Sequence, residues 1–258
     1  MTVSYDVEDR VAHITIQRPD KRNAMDESVF HGLRDAAVRA GEDADVRAVL
    51  VRGAGGHFSS GIDLNFLGSV LGEGSGGPAG DGGSIAELQH CFTVLEELDV
   101  PSVASISGVC FGAGLQLAAA CHLRVVLPDA SLSVMEVRWG LVPDLGGTYR
   151  LPRLIGLGRA TELVATGRRI GADEARRFGF AERAVADEEE AVAFARELAA
   201  GPGSIARAIR LLRENLERPR ETALEREAEA QVASMTGPDF AEAVGAHLEG
   251  RDPQFVGR

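Results

Sequence analysis

The stretch Gly108–Ala120, GVCFGAGLQLAAA, decides how this chain is read. Small residues form a turn, and an apolar run at helical spacing follows with one polar side chain, Gln116, near its start. A strand that feeds such a turn into a helix N-terminus presents unpaired backbone N–H groups and a positive dipole end, so the turn can meet negative charge. Close packing of helix on strand would use the same glycines. A dinucleotide fingerprint does not fit, because Gly112-Ala113-Gly114 lacks the third glycine and lies in mid-chain. A phosphate-loop lysine is also missing.

Outward from this turn, strands and helices alternate. Upstream, PSVASISG reads as a strand opened by Pro101; downstream, LRVVL and SLSV read as extended segments. Near the N-terminus, SYDVEDRVAHITIQR gives two half-buried strands about a Glu-Asp turn. Asp26 caps a helix to about Ala40, and VRAVLVRG at 46–53 is a buried strand. Gly68–Ser84, with eight glycines, is expected to be a mobile surface loop, and a helix follows over about 85–98. Residues 147–200 read as short helices with one strand near Arg183–Val185, and 203–249 as amphipathic helices. The pattern is α/β, with a core over 1–200 and a helical region over 201–258.

A chain of 258 residues suffices for one large domain or a core with an appendage. Its 39 acidic and 27 basic residues give a net charge of −12, which repels nucleic acid. Lys21 is the single lysine. Cys91, Cys110 and Cys121 lie in apolar segments without a C-x-x-C pair and read as core residues of a reducing compartment. No basic-then-apolar leader and no membrane-length apolar run is present, so a cytoplasmic protein is expected.

A second small-residue loop, HFSSGIDL at 57–64, also leads into a helix. If its N–H groups face those of the first turn, the two make an oxyanion hole, each donor worth roughly 3 kcal/mol in a transition state. In MEVRWGLVPDLGGTYRL, Glu136 and Asp144 stand among apolar residues, and desolvation there would raise their pKa values toward those of a general base or acid. The competing structural reading pairs Glu136 with Arg138 or Arg150 and leaves Asp144 as a turn residue. The six histidines show no ligand spacing, so no metal is expected, and no G-x-S-x-G elbow is present. Oxyanion stabilisation with carboxylate proton transfer remains.

With these pieces in order, the chain resembles the crotonase (enoyl-CoA hydratase/isomerase) family along nearly its whole length. The matching stretches are RPDKRNAM at 18–25, HFSSGIDL at 57–64, PSVASISGVCFGAGLQLAAACHLRV at 101–125, MEVRWGLVPDLGGTYRLPRLIG at 135–156, and the ending HLEGRDPQFVGR. The resemblance implies a spiral of repeated strand-strand-helix units with a helical C-terminal oligomerisation region, assembled as a homotrimer or homohexamer. It places the oxyanion donors at the Ile62 and Ala113 N–H groups. Ser60 and Gly61 would line the adenine and pantetheine side, Lys21 and Arg22 would stand near the phosphates of coenzyme A, and Gly114 and Gln116 would belong to the substrate wall. No cofactor is implied beyond the coenzyme A that the substrate carries. His247 and Gly250 depart from the family's usual aromatic and lysine.

Hydratases of the family use two glutamates to hold water; Glu136 matches one, and Gln116 stands where the other would be. Glutamine cannot take a proton from water. An acyl-CoA double-bond isomerase using Glu136 and Asp144 is therefore expected. A hydratase is the second reading, and a non-catalytic acyl-CoA-binding or assembly protein the third.

Overall fold

The computed structural model describes residues 1–72 and 83–257. Strands β1 (Val3–Glu8) and β2 (Val11–Ile16) form a hairpin whose turn residues, Asp9 and Arg10, both take positive φ, as a two-residue right-twisted hairpin requires. Helix α1 (Glu27–Glu42) starts where the Asp26 side chain accepts from the Val29 N–H, and returns the chain to β3 (Ala48–Gly53), which pairs parallel to β2. Helices α2 (Leu64–Gly72) and α3 (Gly83–Glu96) then lead to β4 (Ser102–Ile106), parallel to β3.

From β4 each turn of chain supplies one strand to each of two sheets. β5 (Val109–Phe111) enters a small sheet and α4 (Ala113–Ala120) follows. β6 (Leu123–Val126) rejoins the large sheet beside β4, and β7 (Ser131–Ser133) pairs with β5. Helices α5 (Gly147–Ile155) and α6 (Leu157–Thr166), strand β8 (Ile170–Gly171), helix α7 (Ala172–Phe178), strand β9 (Arg183–Ala184) and helix α8 (Glu188–Ala199) complete the core. The sheets read β1-β2-β3-β4-β6-β9 and β5-β7-β8. This is the mixed α/β spiral that the resemblance implies.

The large sheet is covered on both faces, and alternation along each strand sorts its side chains. Ala12, Ile14, Val49, Val51, Ala104 and Ile106 enter the main core with α1, α3 and α4. Val11, Ala48, Leu50, Val103 and Val125 pack against Ala191, Phe194 and Ala195 of α8. The half-buried reading of β2 is thereby corrected: α8 covers its second face and all six residues are buried. Part of the glycine-rich stretch expected as a loop is helical. Residues through Gly72 and from Gly83 are helical, whereas 73–82 lie outside the described residues. Glycines 68 and 72 cost a helix about 1 kcal/mol each relative to alanine, which does not prevent one in an apolar run. The three cysteines are free and buried, and burial pushes the Cys121 thiol up to about 12.

The last three helices are α9 (Ser204–Glu214), α10 (Arg220–Met235) and α11 (Pro238–Glu249). Arg47 holds this region to the core through the Gly201 and Val256 carbonyls, and Asp239 accepts from the Gly203 and Val256 N–H groups. No helix among the described residues is long and apolar enough to cross a membrane.

His13 of β2 lies on the α8 side, buried, with neither ring nitrogen hydrogen-bonded among the described residues. Burial, helped by Arg52, holds its pKa below 6.5. The unfolded chain therefore binds a proton that the fold rejects, and stability falls as pH drops through 6.5. His13→Leu is expected to raise the unfolding free energy measured in urea, by about 1 kcal/mol at pH 8 and by more at pH 5. An equal gain at both pH values would show that protonation of His13 is not resisted by the fold.

Candidate active site

The two small-residue turns converge because the loop after β3 runs beside β5. Phe58 N–H donates to the Ser107 carbonyl at 2.8 Å, Ser59 N–H to Val109 at 3.0 Å, and Phe111 N–H back to Ser59 at 3.0 Å. Gly61 comes so close to the second turn, at φ 99°, that a Cβ there would lie 2.9 Å from the Phe111 carbonyl and 3.6 Å from the Ala113 nitrogen. A side chain would therefore disrupt the junction. Gly112, at φ 52°, heads α4, and a Cβ on it would meet Glu136 Oε1 at 3.4 Å.

Between the turns lies a cleft of about 420 Å³ whose walls include Lys21, Gly61, Ile62, Ala113, Glu136 and Trp139. Met25 N–H donates to the Gly61 carbonyl and Asp63 N–H to the Met25 carbonyl, while the Ile62 N–H has no acceptor among the described residues. Ala113, the first residue of α4, is likewise without an acceptor for its N–H. Two uncommitted backbone donors thus border one cavity, with the N-terminal end of a helix behind one of them.

Glu136 begins a short 3₁₀ turn, Glu136–Trp139, and is 9 % exposed. Its partner is Gln116, 1 % exposed: Nε2 donates to Glu136 Oε1 at 2.6 Å, and Gln116 Oε1 accepts from the Gly147 N–H at 2.9 Å. The Gly147 donor fixes which end of the amide is oxygen, so the NH₂ group must face the carboxylate. Glu136 Oε2 is buried without a partner among the described residues. Burial raises the Glu136 pKa above 4.5, its own backbone and Gln116 pull it down, and the Asp144 charge pushes it up again. Asp144, half-buried, is raised from 3.8 by burial. Neither arginine of the competing reading reaches Glu136: Arg138 donates to the Gly167 carbonyl, and Arg150 pairs with Glu96.

Of the residues singled out in the sequence, Lys21, Ser60, Gly61, Ile62, Ala113 and Glu136 come together on the cleft walls, and Gln116 stands directly behind Glu136. Asp144 lies within Coulombic reach of Glu136 but is not among the cleft's lining residues. Gly114 and Arg22 are not among the residues that line this cleft. A Cβ on Gly114 would press on the Ser59 carbonyl at 2.7 Å, so it is glycine for packing. Arg22 is exposed in a left-handed turn, and its carbonyl accepts from the Ser60 N–H at 2.9 Å.

The sequence reading missed Asp63. It caps α2 by accepting from the Asn65 N–H at 3.0 Å and receives Arg18 at 3.0 Å and Lys21 at 3.1 Å. Burial opposes its ionisation, but hydrogen bonds from Lys21, Asn65 and Arg18 outweigh burial and hold its pKa at about 2. The local signal was an Asp before an apolar helix; its two cationic partners lie more than forty residues away.

Residues 6–258 match the model of the enoyl-CoA hydratase/isomerase family. A Bacillus subtilis (strain 168) protein described as a probable enoyl-CoA hydratase is 33% identical over 261 residues, covering 99% of this chain and 98% of its own length. A peroxisomal Delta(3,5)-Delta(2,4)-dienoyl-CoA isomerase from Arabidopsis thaliana is 33% identical over 259 residues, covering 95% and 92%. The crystal structure of an enoyl-CoA hydratase from Bacillus anthracis superposes with a TM-score of 0.91 at 30% identity, covering all of both chains. The chain belongs to the enoyl-CoA hydratase/isomerase, or crotonase, family and is an enzyme of that group.

Proposed function

We propose that this enzyme moves a carbon–carbon double bond within an acyl-CoA thioester, converting a 3-enoyl-CoA to a 2-enoyl-CoA. The carrying observation is the Gly147–Gln116–Glu136 chain of hydrogen bonds. It fills the place of a second water-holding carboxylate with an amide that only donates toward Glu136, and it leaves Glu136 Oε2 as an unsatisfied acceptor. A single base suffices for isomerisation. Glu136 takes a proton from the carbon next to the thioester, the electrons pass into a dienolate whose oxygen rests between the Ile62 and Ala113 N–H groups, and a proton returns at carbon 4 from Glu136 or from Asp144. Addition of water needs a second group to hold and polarise it, which this wall does not offer.

Apart from the coenzyme A of the substrate, the reaction as written uses no cofactor. Lys21, half-exposed at the cleft, is the cation within reach of the substrate's phosphates. Buried free cysteines accord with a reducing, cytoplasmic location. Purified protein is to be incubated with 3-enoyl, 2-enoyl and dienoyl thioesters and the products separated by chromatography and mass. Shift of a 3-enoyl double bond faster than hydration of any 2-enoyl thioester supports the proposal, and the reverse order overturns it.

The assembly in this reading is a homotrimer or homohexamer. Leu224, Val232 and Met235 on α10 and Phe240, Val244 and Leu248 on α11 are exposed, more apolar surface than two helices of a monomer ordinarily leave in water. Light scattering at micromolar concentration is expected to give three or six times the 27.3 kDa chain mass. A monomer would remove 201–258 as an oligomerisation region.

A further inference from the structure

Asp144 is carried on a short loop between the 3₁₀ turn of Glu136 and helix α5, and the hydrogen bond its carboxyl shows among the described residues is to its own backbone. Its backbone is held from outside the cleft by α3. Gln89 Nε2 donates to the Asp144 carbonyl at 2.6 Å. One residue on, Arg150 Nη1 donates to the Leu145 carbonyl at 2.9 Å. Arg150 is itself fixed to α3, because Nε and Nη2 both reach Glu96 Oε2, at 2.9 and 2.6 Å. The next residue, Gly146, stands at φ 89°, and a Cβ on it would collide with Arg150 Nη1, so the guanidinium occupies the space under the loop. Two successive carbonyls are therefore each held by a side chain, one by Gln89 of α3 and the next by Arg150 of α5, which is itself tied to α3 through Glu96, while Gly147 N–H is turned toward Gln116. Arg150 is 7 % exposed, and its charge is answered by Glu96.

We propose that Gln89 and the Arg150–Glu96 pair are positioning residues for proton transfer: they clamp the Asp144 and Leu145 carbonyls to α3 and so set the place of the Asp144 carboxylate relative to Glu136. The proposal rests on the reading that Asp144 takes part in the reaction. None of the three side chains lines the cleft, so their effect must reach the substrate through the loop. An error of about 1 Å in a reacting group is enough to cost up to a hundredfold in rate.

The experiment uses Gln89→Leu and Arg150→Lys, alone and each combined with Asp144→Asn. Gln89 is exposed, so its loss leaves no buried group unpaired. Arg150→Lys keeps a cation for Glu96 but loses the fork that also reaches Leu145. Each single variant is expected to lower kcat for 3-enoyl-CoA isomerisation about tenfold with KM within twofold, and to shift the pH profile. In the Asp144→Asn background the same changes are expected to cost no further kcat, because there is no carboxylate left to place. Full, additive losses in that background would overturn the proposal while leaving a role for Asp144 intact. An Asp144→Asn enzyme with unchanged kcat would overturn the role of Asp144 and the clamp with it.

Discussion

Glu136→Gln is expected to lower isomerase turnover by about 10²–10⁴ while the affinity for coenzyme A stays near that of the native enzyme. The substitution keeps the size of the side chain and an oxygen for the Gln116 donor, so the cleft wall remains, but the buried Oε2 that has no partner is no longer a proton acceptor. The native rate is expected to fall on the acid side with a midpoint above 4.5, because burial makes Glu136 harder to ionise and the base must be ionised to act. In Glu136→Gln that limb disappears. The stability effect has the opposite sign. A carboxyl whose folded pKa is raised contributes stability that is present below 4.5 and lost as pH rises through the folded value. At pH 7 the glutamine enzyme is therefore expected to melt at or above the native temperature. Turnover near the native level on 3-enoyl-CoA, with an unchanged pH profile, would make Glu136 structural.

The parts of this site that were legible in the sequence are those where one residue type answers a local demand. Gly112 must take a positive φ at the head of α4, and Gly61 must admit the Phe111 carbonyl, so both turns carry glycine and could be recognised. Glu136 stood out because it is a carboxylate among apolar neighbours. What the sequence hides is the partner. Glu136 and Arg150 are fourteen positions apart, and a local reading pairs them; the fold gives Arg150 to Glu96 and Glu136 to Gln116. Asp63 illustrates the same limit, since its role in holding Arg18 and Lys21 arises only when α2 begins beside the 18–25 segment. Short strands were hidden for a related reason. β5 has three residues and β8 two, and each exists through its pairing with β7 rather than through its own periodicity. Burial of the second face of β2 depends on α8, some 180 residues later.

Under the isomerase reading, Gln116→Glu tests whether the amide is what limits hydration. The new oxygen would stand where Nε2 now lies, 2.6 Å from Glu136 Oε1, in a wall that is almost wholly buried. Two carboxylates at that distance cannot both be ionised, so the pair would hold one proton between them and titrate in two steps that belong to neither residue alone. That arrangement supplies what water addition lacks here, one group to accept a proton and one to donate. Hydration of crotonyl-CoA is expected to rise about tenfold or more, a change of only about 1.4 kcal/mol in barrier, and its pH profile to become bell-shaped. Isomerisation of 3-enoyl-CoA is expected to fall, because the proton shared at Glu136 Oε1 makes the carboxyl group a weaker base at Oε2. The Gly147 N–H still finds an oxygen at the second atom of the new carboxylate, so the loop that carries Asp144 keeps that hydrogen bond. Native turnover on crotonyl-CoA of about 10² per second or more would show that a glutamate at 116 is not required for hydration, and the isomerase reading would fail. A native enzyme slow in hydration, joined to a Gln116→Glu variant no faster, would place the block to water elsewhere in the cleft.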